Sequence, residues 1–474
     1  MRLSFKIDPG SVGWSLRNSY LAAFAVLSLC CALLSLSQAQ NRQTTPLLAL
    51  THVTVIDGKG SDARADLTVV IEGDRIVDVG TRAAIPKGAQ IVNAGGKFLI
   101  PGLCDMHVHF GKTGEAIFPA LIANGVTSVR EMGGDGETTI ALREKVKRGE
   151  LLGPRIKTTG LILESPRFIQ LLERITGESF AGKRIGVANA DDAKRAIEAN
   201  VKMGADFLKI RTSASRDAYF AIASEARRVG LPLVGHLPVG ISALDASNAG
   251  QRSIEHGWVM LEKIPEDKLK ETAAQLIKND TYLVPTLVAG RGFRETPDDQ
   301  VLAIVDDKAG VIDARRKYVP QSLADFWRKQ IEMKKVESEK LDWMAVKRNN
   351  VEIFRILHKA GVKMMAGTDL GAPLCYPGFA LHDELELMVS DIGLTPAEAL
   401  QSVTRIPAEF MGLGGTLGTI EKGKLADLVL LDANPLVDIR NTRKIASVIM
   451  AGRMLDKAEL KSMMDKMAAE AAKN

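Results

Sequence analysis

The stretch LIANGVTSVREMGG, residues 121–134, starts as an apolar helix end, breaks at Gly125, and continues as a β-rich run closing on Arg130 and Glu131. Helix, glycine stop and short strand are successive parts of a βαβ unit. The phrase returns as IEANVKMGADFLKIR (197–211), ASEARRVGLPLVGHLP (223–238), ALDASNAGQRSIEHG (243–257) and ILHKAGVKMMAGTDLGAP (356–373). Reading LCDMHVHF, TSVREMG, RIKTTG, DFLKIR, LVGHL, SIEHG, YLVPTL and KMMAGTDL as strands gives eight, the number that closes a (β/α)8 TIM barrel. The predicted class is α/β, with functional groups at the C-terminal strand ends.

Outward from this repeat lie two β-rich flanks, 48–100 and 416–456, that alternate apolar and polar residues around turns such as Asp57-Gly58 and Lys422-Gly423. Neither is large enough to be stable alone, so both are expected to build one small β-sandwich from the two chain ends around a barrel at 101–415. Residues 457–474 read as a polar helical tail.

The chain has 474 residues, 46% of them hydrophobic, which suits a packed globular protein. Its net charge of +5 is too small to argue for a nucleic-acid or anionic-membrane partner. Residues 1–39 read as a signal peptide: basic residues through Arg17, the apolar run LAAFAVLSLCCALLSLS from Leu21, then Ser37 and Ala39 at cleavage-site spacing. Cleavage after Ala39 would make the protein exported, periplasmic or secreted, with no membrane attachment; retention as an anchor is the alternative. Cys30 and Cys31 would leave with the leader, and the two remaining cysteines, Cys104 and Cys375, do not make a disulfide scaffold.

CDMHVHF, residues 104–110, places Asp105, His107 and His109 on one face of a strand and Cys104, Met106 and Val108 on the other. Two in-register histidines want a shared partner, most commonly a metal ion. The other strand ends add Lys209, His236, His256 and Asp369, so four of seven histidines stand at strand ends.

With those residues in place, the chain resembles the metal-dependent amidohydrolase superfamily, in its imidazolonepropionase-like and prolidase-like branches. The matching motifs are PGLCDMHVH, GVTSVREMGG, GADFLKI, SIEHG, AGTDLGAP, LHDELELMV and GTLGTIEKGKLADLVLLDANPL, spread over nearly the whole mature chain. The resemblance implies two divalent metal ions, with zinc expected and manganese, cobalt or iron also suited to the donors. It implies His107, His109 and Asp369 on the inner ion, His236 and His256 on the outer, and Lys209, carboxylated by CO2, bridging them. A protonated amine cannot ligate a cation, whereas a carbamate offers two oxygens that can span ions about 3.5–4 Å apart. It also implies hydrolysis by a metal-activated water, with Asp369 as the catalytic acid and base. At the fifth strand many relatives carry HAHG where this chain has GHLPVG, so Pro238 stiffens the turn and a second polar group near His236 is absent.

The expected substrate is a small amide such as a dipeptide or N-acyl amino acid, with lactone or phosphotriester hydrolysis as the rival. A mononuclear deaminase and a silent binding protein fit less well, because Leu237, Pro238 and Val239 follow His236 and the ligand set is complete. Arg211, on the face of Lys209, is a candidate clamp for a substrate carboxylate. Arg130 carries the same expectation more weakly. Tyr282 and His382 are candidate substrate contacts, weighed against packing and support roles. Ile162 to about Gly186 and about Gly290 to Asn350, with Trp327 and Trp343, read as mouth-side insertions, the second a lid or a helical pair that packs on a neighbour. A homo-oligomer is left open.

Overall fold

The computed structural model describes residues 46–111, 113–256, 266–334 and 343–473. The leader, its expected cleavage point at Ala39, Cys30 and Cys31 lie outside the described residues. Seventeen strands are described. The first five are β1 (Leu47–Val55), β2 (Arg64–Glu72), β3 (Arg75–Gly80), β4 (Gln90–Asn93) and β5 (Phe98–Pro101). Next come β6 (Leu103–Val108), β7 (Val126–Glu131), β8 (Arg155–Thr158), β9 (Ile162–Glu164), β10 (Arg184–Gly186), β11 (Leu208–Ile210), β12 (Leu233–Gly235), β13 (Gln251–Glu255) and β14 (Tyr282–Val284). The last three are β15 (Leu428–Leu431), β16 (Ile445–Met450) and β17 (Arg453–Asp456).

Both chain ends meet in one sheet, ordered β17-β16-β15-β5-β1-β2-β3 with β4 also on β1. The join is antiparallel, Ile100 opposite Val429. Where a two-sheet sandwich is expected from the alternation, hydrogen bonds run unbroken through this join. Leu50, Val69, Ile76, Leu99, Leu430 and Ile449, drawn from six strands, nevertheless share one buried cluster. The single sheet therefore curls around its own apolar face, as a half-buried alternating sheet must.

The central strands are parallel and fall into two sheets, β6-β7-β8 and β10-β9-β11-β12-β13-β14. No continuous ladder closes them into one barrel sheet among the described residues. Single parallel bridges connect them instead: Thr159 with Phe207, Leu283 with Met364, and Val108 with Leu370. Through these contacts the eighth expected strand, KMMAGTDL, touches β14 at one end and β6 at the other without forming a ladder. Gly367 shows why it runs so close: a Cβ there would lie 2.8 Å from His107 Cβ and 2.7 Å from Val284 Cγ1.

The helices between strands bury their apolar sides on this core. Arg216–Val229, for example, begins at Ser215, whose side chain accepts from the Ala218 N–H, and buries Tyr219, Ile222 and Ala226. The insertion after β8 is more ordered than its composition suggests, since it contains β9, the helix Pro166–Thr176 and β10. The insertion after β14 carries its own core, in which Val301, Leu323, Trp327 and Ile331 pack with Tyr376. Its helix Gln321–Lys334 is tied on two sides, by Lys329 to Glu178 at 2.6 Å and by Gln330 to the Gly371 carbonyl at 2.7 Å. The tail is a helix, Lys457–Lys473, with Leu460, Met464 and Met467 buried. No helix among the described residues is long and apolar enough to cross a membrane.

Candidate metal centre

The strand ends converge. His107 is the penultimate residue of β6, and His109 directly follows the strand on the same face. Asp369 Oδ1 lies 3.5 Å from His107 Nε2 and 3.3 Å from His109 Nε2, and its other oxygen lies 3.9 Å from His256 Nδ1. Donor atoms of His107, His109 and Asp369 all fall within 4.8 Å of one another. The His107 and His256 rings are 4.5 Å apart, and those of His256 and His236 are 4.7 Å apart. His236 follows Gly235, where a Cβ would meet the Ile210 carbonyl oxygen at 2.0 Å, so only glycine lets β12 approach β11 here.

Two of these residues hold a rare backbone conformation. His256 has φ +65° and Asp369 has φ +54°, in the left-handed region that costs non-glycine residues energy. The surroundings enforce it. The His256 N–H donates to Val284 and the Leu370 N–H to His107, while Asp105 accepts from the Thr368 N–H at 3.0 Å and hydroxyl at 2.6 Å. Asp105 thus faces the centre's base rather than its mouth, and burial raises its pKa to about 7.

The outer ring nitrogens are spoken for. His109 Nδ1 lies 2.6 Å from the Gly133 carbonyl, which can only accept, so Nδ1 donates there and Nε2 is the atom turned toward Asp369. His107 Nδ1 meets Glu255 at 2.9 Å, and His256 Nδ1 meets the Thr286 hydroxyl at 2.8 Å. Glu255 in turn accepts from Arg130 at 2.8 Å and from Ser253, and Arg130 also donates to the Met106 carbonyl. Burial, reinforced by Lys209, holds the His107 pKa down to about 4, and burial also drives His236 and His256 well below the ordinary histidine range. Burial would raise Asp369, but His256, His109 and His107 together draw it well below the carboxylate range.

Lys209 Nζ is buried without a hydrogen-bond partner among the described residues, and so is His107 Nε2. Burial lowers the lysine pKa to about 8 despite the pull of Glu255 and Asp369. Neutral imidazoles, an ionised carboxylate and two orphaned nitrogen atoms are a donor set that fits divalent ions.

The expected substrate contacts fare differently. Tyr282 begins β14, at the end away from the histidines, and its hydroxyl meets Lys363 at 3.2 Å while its ring packs on Phe410. His382 is buried with both nitrogens engaged, by the Thr442 hydroxyl at 2.9 Å and the Asn124 carbonyl at 3.1 Å. Neither is placed to touch a substrate; alternation along the strand does not tell which end a side chain serves. Arg130 is an interior support of Glu255, not a rim residue. Arg211 stays at the mouth, 3.6 Å from Glu164. Glu255 itself escapes sequence reasoning because it precedes His256, and alternation would send the two to opposite faces. The His256 left-handed turn lets both reach His107.

The comparisons with known proteins follow this geometry. An imidazolonepropionase of Geobacillus sp. is 25% identical over 402 residues, 77% of this chain and 83% of that protein. An imidazolonepropionase of Pseudomonas savastanoi is 37% identical over 83 residues, and there the alignment spans only 18% of this chain and 20% of the relative's length. Among solved structures, a Xaa-Pro dipeptidase with bound methionine in its active site is 25% identical with a TM-score of 0.65, covering 86% of this chain and all of that one. Residues 98–455 match the model of the Amidohydrolase family. The chain therefore belongs to that family.

Proposed function

We propose that this chain hydrolyses an amide bond in a small substrate such as a dipeptide or N-acyl amino acid at a two-metal centre. The observation that carries this is the convergence of His107, His109 and Asp369 beside a buried, unpartnered Lys209 amine. His107, His109 and Asp369 would hold one ion and His236 and His256 the other. Divalent ions supply Lewis acidity, lowering the pKa of a water from about 15.7 toward 7 and polarising the scissile carbonyl.

The side chains do the rest. Lys209, with a pKa near that of the solution, can present its neutral amine to CO2. The amine lone pair forms the N–C bond and one N–H proton is released, leaving a carbamate with two oxygen donors. Asp369, held ionised, takes a proton from the attacking water and hands it to the leaving nitrogen. The insertion helix tied at Glu178 and Gly371 narrows access and supports a small substrate. The leader sequence supports an exported, periplasmic or secreted enzyme, checked by a mature N-terminus at Gln40 in mass spectrometry.

Elemental analysis of protein purified with bicarbonate and without chelator is expected to give about two divalent ions per chain, reduced in Lys209→Ala. Asp369→Asn is expected to lower kcat on dipeptides by about 10²–10⁴. One tightly held ion unaffected by Lys209→Ala would remove the bridge and favour mononuclear chemistry.

A further inference from the structure

Beside the centre, two arginines share one carboxylate. Glu164, at the end of β9, is fully buried and accepts from Arg184 and from the Thr212 hydroxyl at 2.5 Å. Arg211 Nη1 stands 3.6 Å from the same Glu164 oxygen, too far for a good hydrogen bond. Among the described residues Glu164 is the acid that either guanidinium meets. Each guanidinium lies over a phenyl ring, Arg211 at 4.6 Å from the centre of Phe168 and Arg184 at 5.2 Å from that of Phe180. The group thus carries one positive charge more than its acid cancels. That excess is felt: burial and the neighbouring Arg211 draw the Arg184 pKa down to about 10.

The excess also faces the right way. Arg211 lies two residues beyond Lys209 and so shares its face. Its N–H still pairs with the Leu163 carbonyl of β9 at 3.1 Å, so the strand alternation carries on past Ile210 and Arg211 stands at the end of β11 that bears Lys209. Its side chain is 34% exposed against 17% for Arg184, so Arg211 is the member open to a ligand. The Phe168 ring limits how its fork can turn, and Glu164, sealed in and anchored by Arg184, cannot move off to cap it. A second carboxylate arriving from solution would complete a balanced array of two guanidiniums and two carboxylates.

We infer that Arg211, positioned by Glu164 and Arg184, is the specificity-determining residue that selects substrates by a free carboxylate over their neutral carboxamides. Which bond is cleaved rests on the amide-hydrolase reading above; the charge selection does not.

The test is calorimetric binding of an N-acetyl amino acid and its carboxamide to the metal-loaded protein, alongside hydrolysis of a dipeptide and its amide. The acid is expected to bind about ten- to a hundredfold more tightly, the range of one charge-assisted contact. Raising the salt should shrink that ratio, and Arg211→Gln should bring it near one while the carboxamide's affinity holds. Arg184→Gln should loosen the acid by a smaller factor, with Arg184→Lys intermediate. Equal binding of acid and carboxamide by the unmodified protein, or a ratio untouched by both Arg211→Gln and Arg184→Gln, would overturn the inference. A clear acid preference without hydrolysis of either dipeptide would uphold the subsite and sink the reaction.

Discussion

Two arginine–glutamate groups serve the same centre and are built to opposite rules. In the interior, Arg130 and Glu255 are matched one to one, with side chains 1% and 0% exposed, and each Arg130 nitrogen donates to Met106, Ser253 or Glu255. At the mouth, two arginines crowd one acid and the outer guanidinium is partly open. A balanced, sealed pair orients a neighbour, here the His107 ring. An unbalanced pair with an open edge is left wanting an anion. The count of charges, more than their presence, separates support from recognition.

The sharpest way to break this contrast is Glu255→Gln. It keeps an acceptor for His107 but strands the Arg130 charge, and is expected to cost about 3–5 kcal/mol in denaturant unfolding. A cost within about 0.5 kcal/mol, the range of ordinary surface substitutions, would mean that the interior pair is not the support described.

Glu384 sharpens the contrast from another side, as a fully buried acid that forms no ion pair among the described residues. It accepts from the Val288 N–H at 2.8 Å, and burial raises its pKa from 4.5 to about 8. Between those values the folded state keeps a proton the unfolded state has lost, so this residue makes stability fall as pH rises through the window. Glu384→Gln should match the parent near about pH 5 and melt above it at about pH 8.5. An identical pH trend in both proteins would show that Glu384 ionises normally.

Smaller effects belong to residues outside both groups or with partners to spare. His382→Gln, losing at least one of two buried hydrogen bonds, should cost about 1–2 kcal/mol and leave kcat on any hydrolysed dipeptide unchanged. Arg184→Gln should cost less than Glu255→Gln, because Glu164 keeps the Thr212 hydroxyl and the nearby Arg211 charge. If Arg184→Gln proved as damaging as Glu255→Gln, the mouth group would be scaffold too.

Much of this was legible in the chain's own spelling. His107 and Lys209 sit within strands, where alternation states the face, His109 directly follows one, and His236, His256 and Asp369 end segments of the same βα phrase. What stayed hidden had physical reasons. Glu255 depends on a left-handed turn at His256 that no apolar pattern announces. Strands β9 and β10 are three residues long and, unlike the equally short β11 and β12, closely follow no helix–glycine phrase that would announce them. The eighth segment packs through Gly367 with single bridges in place of a ladder, so its β-like spelling overstated its pairing. The sandwich expectation missed that β5 and β15 would pair directly, since strand partners across such a sequence distance leave no local trace.

That last pairing has a consequence for how the molecule comes into being. Strands β1 to β5 are made well before β15 to β17, so the early ones must wait, with Leu99 and Ile100 uncovered, while everything between is synthesised. Joining them is a late, entropically expensive event. A nascent chain of this kind needs its greasy early strands shielded until β15 has been made, and one released before then would offer an unpaired edge to its neighbours.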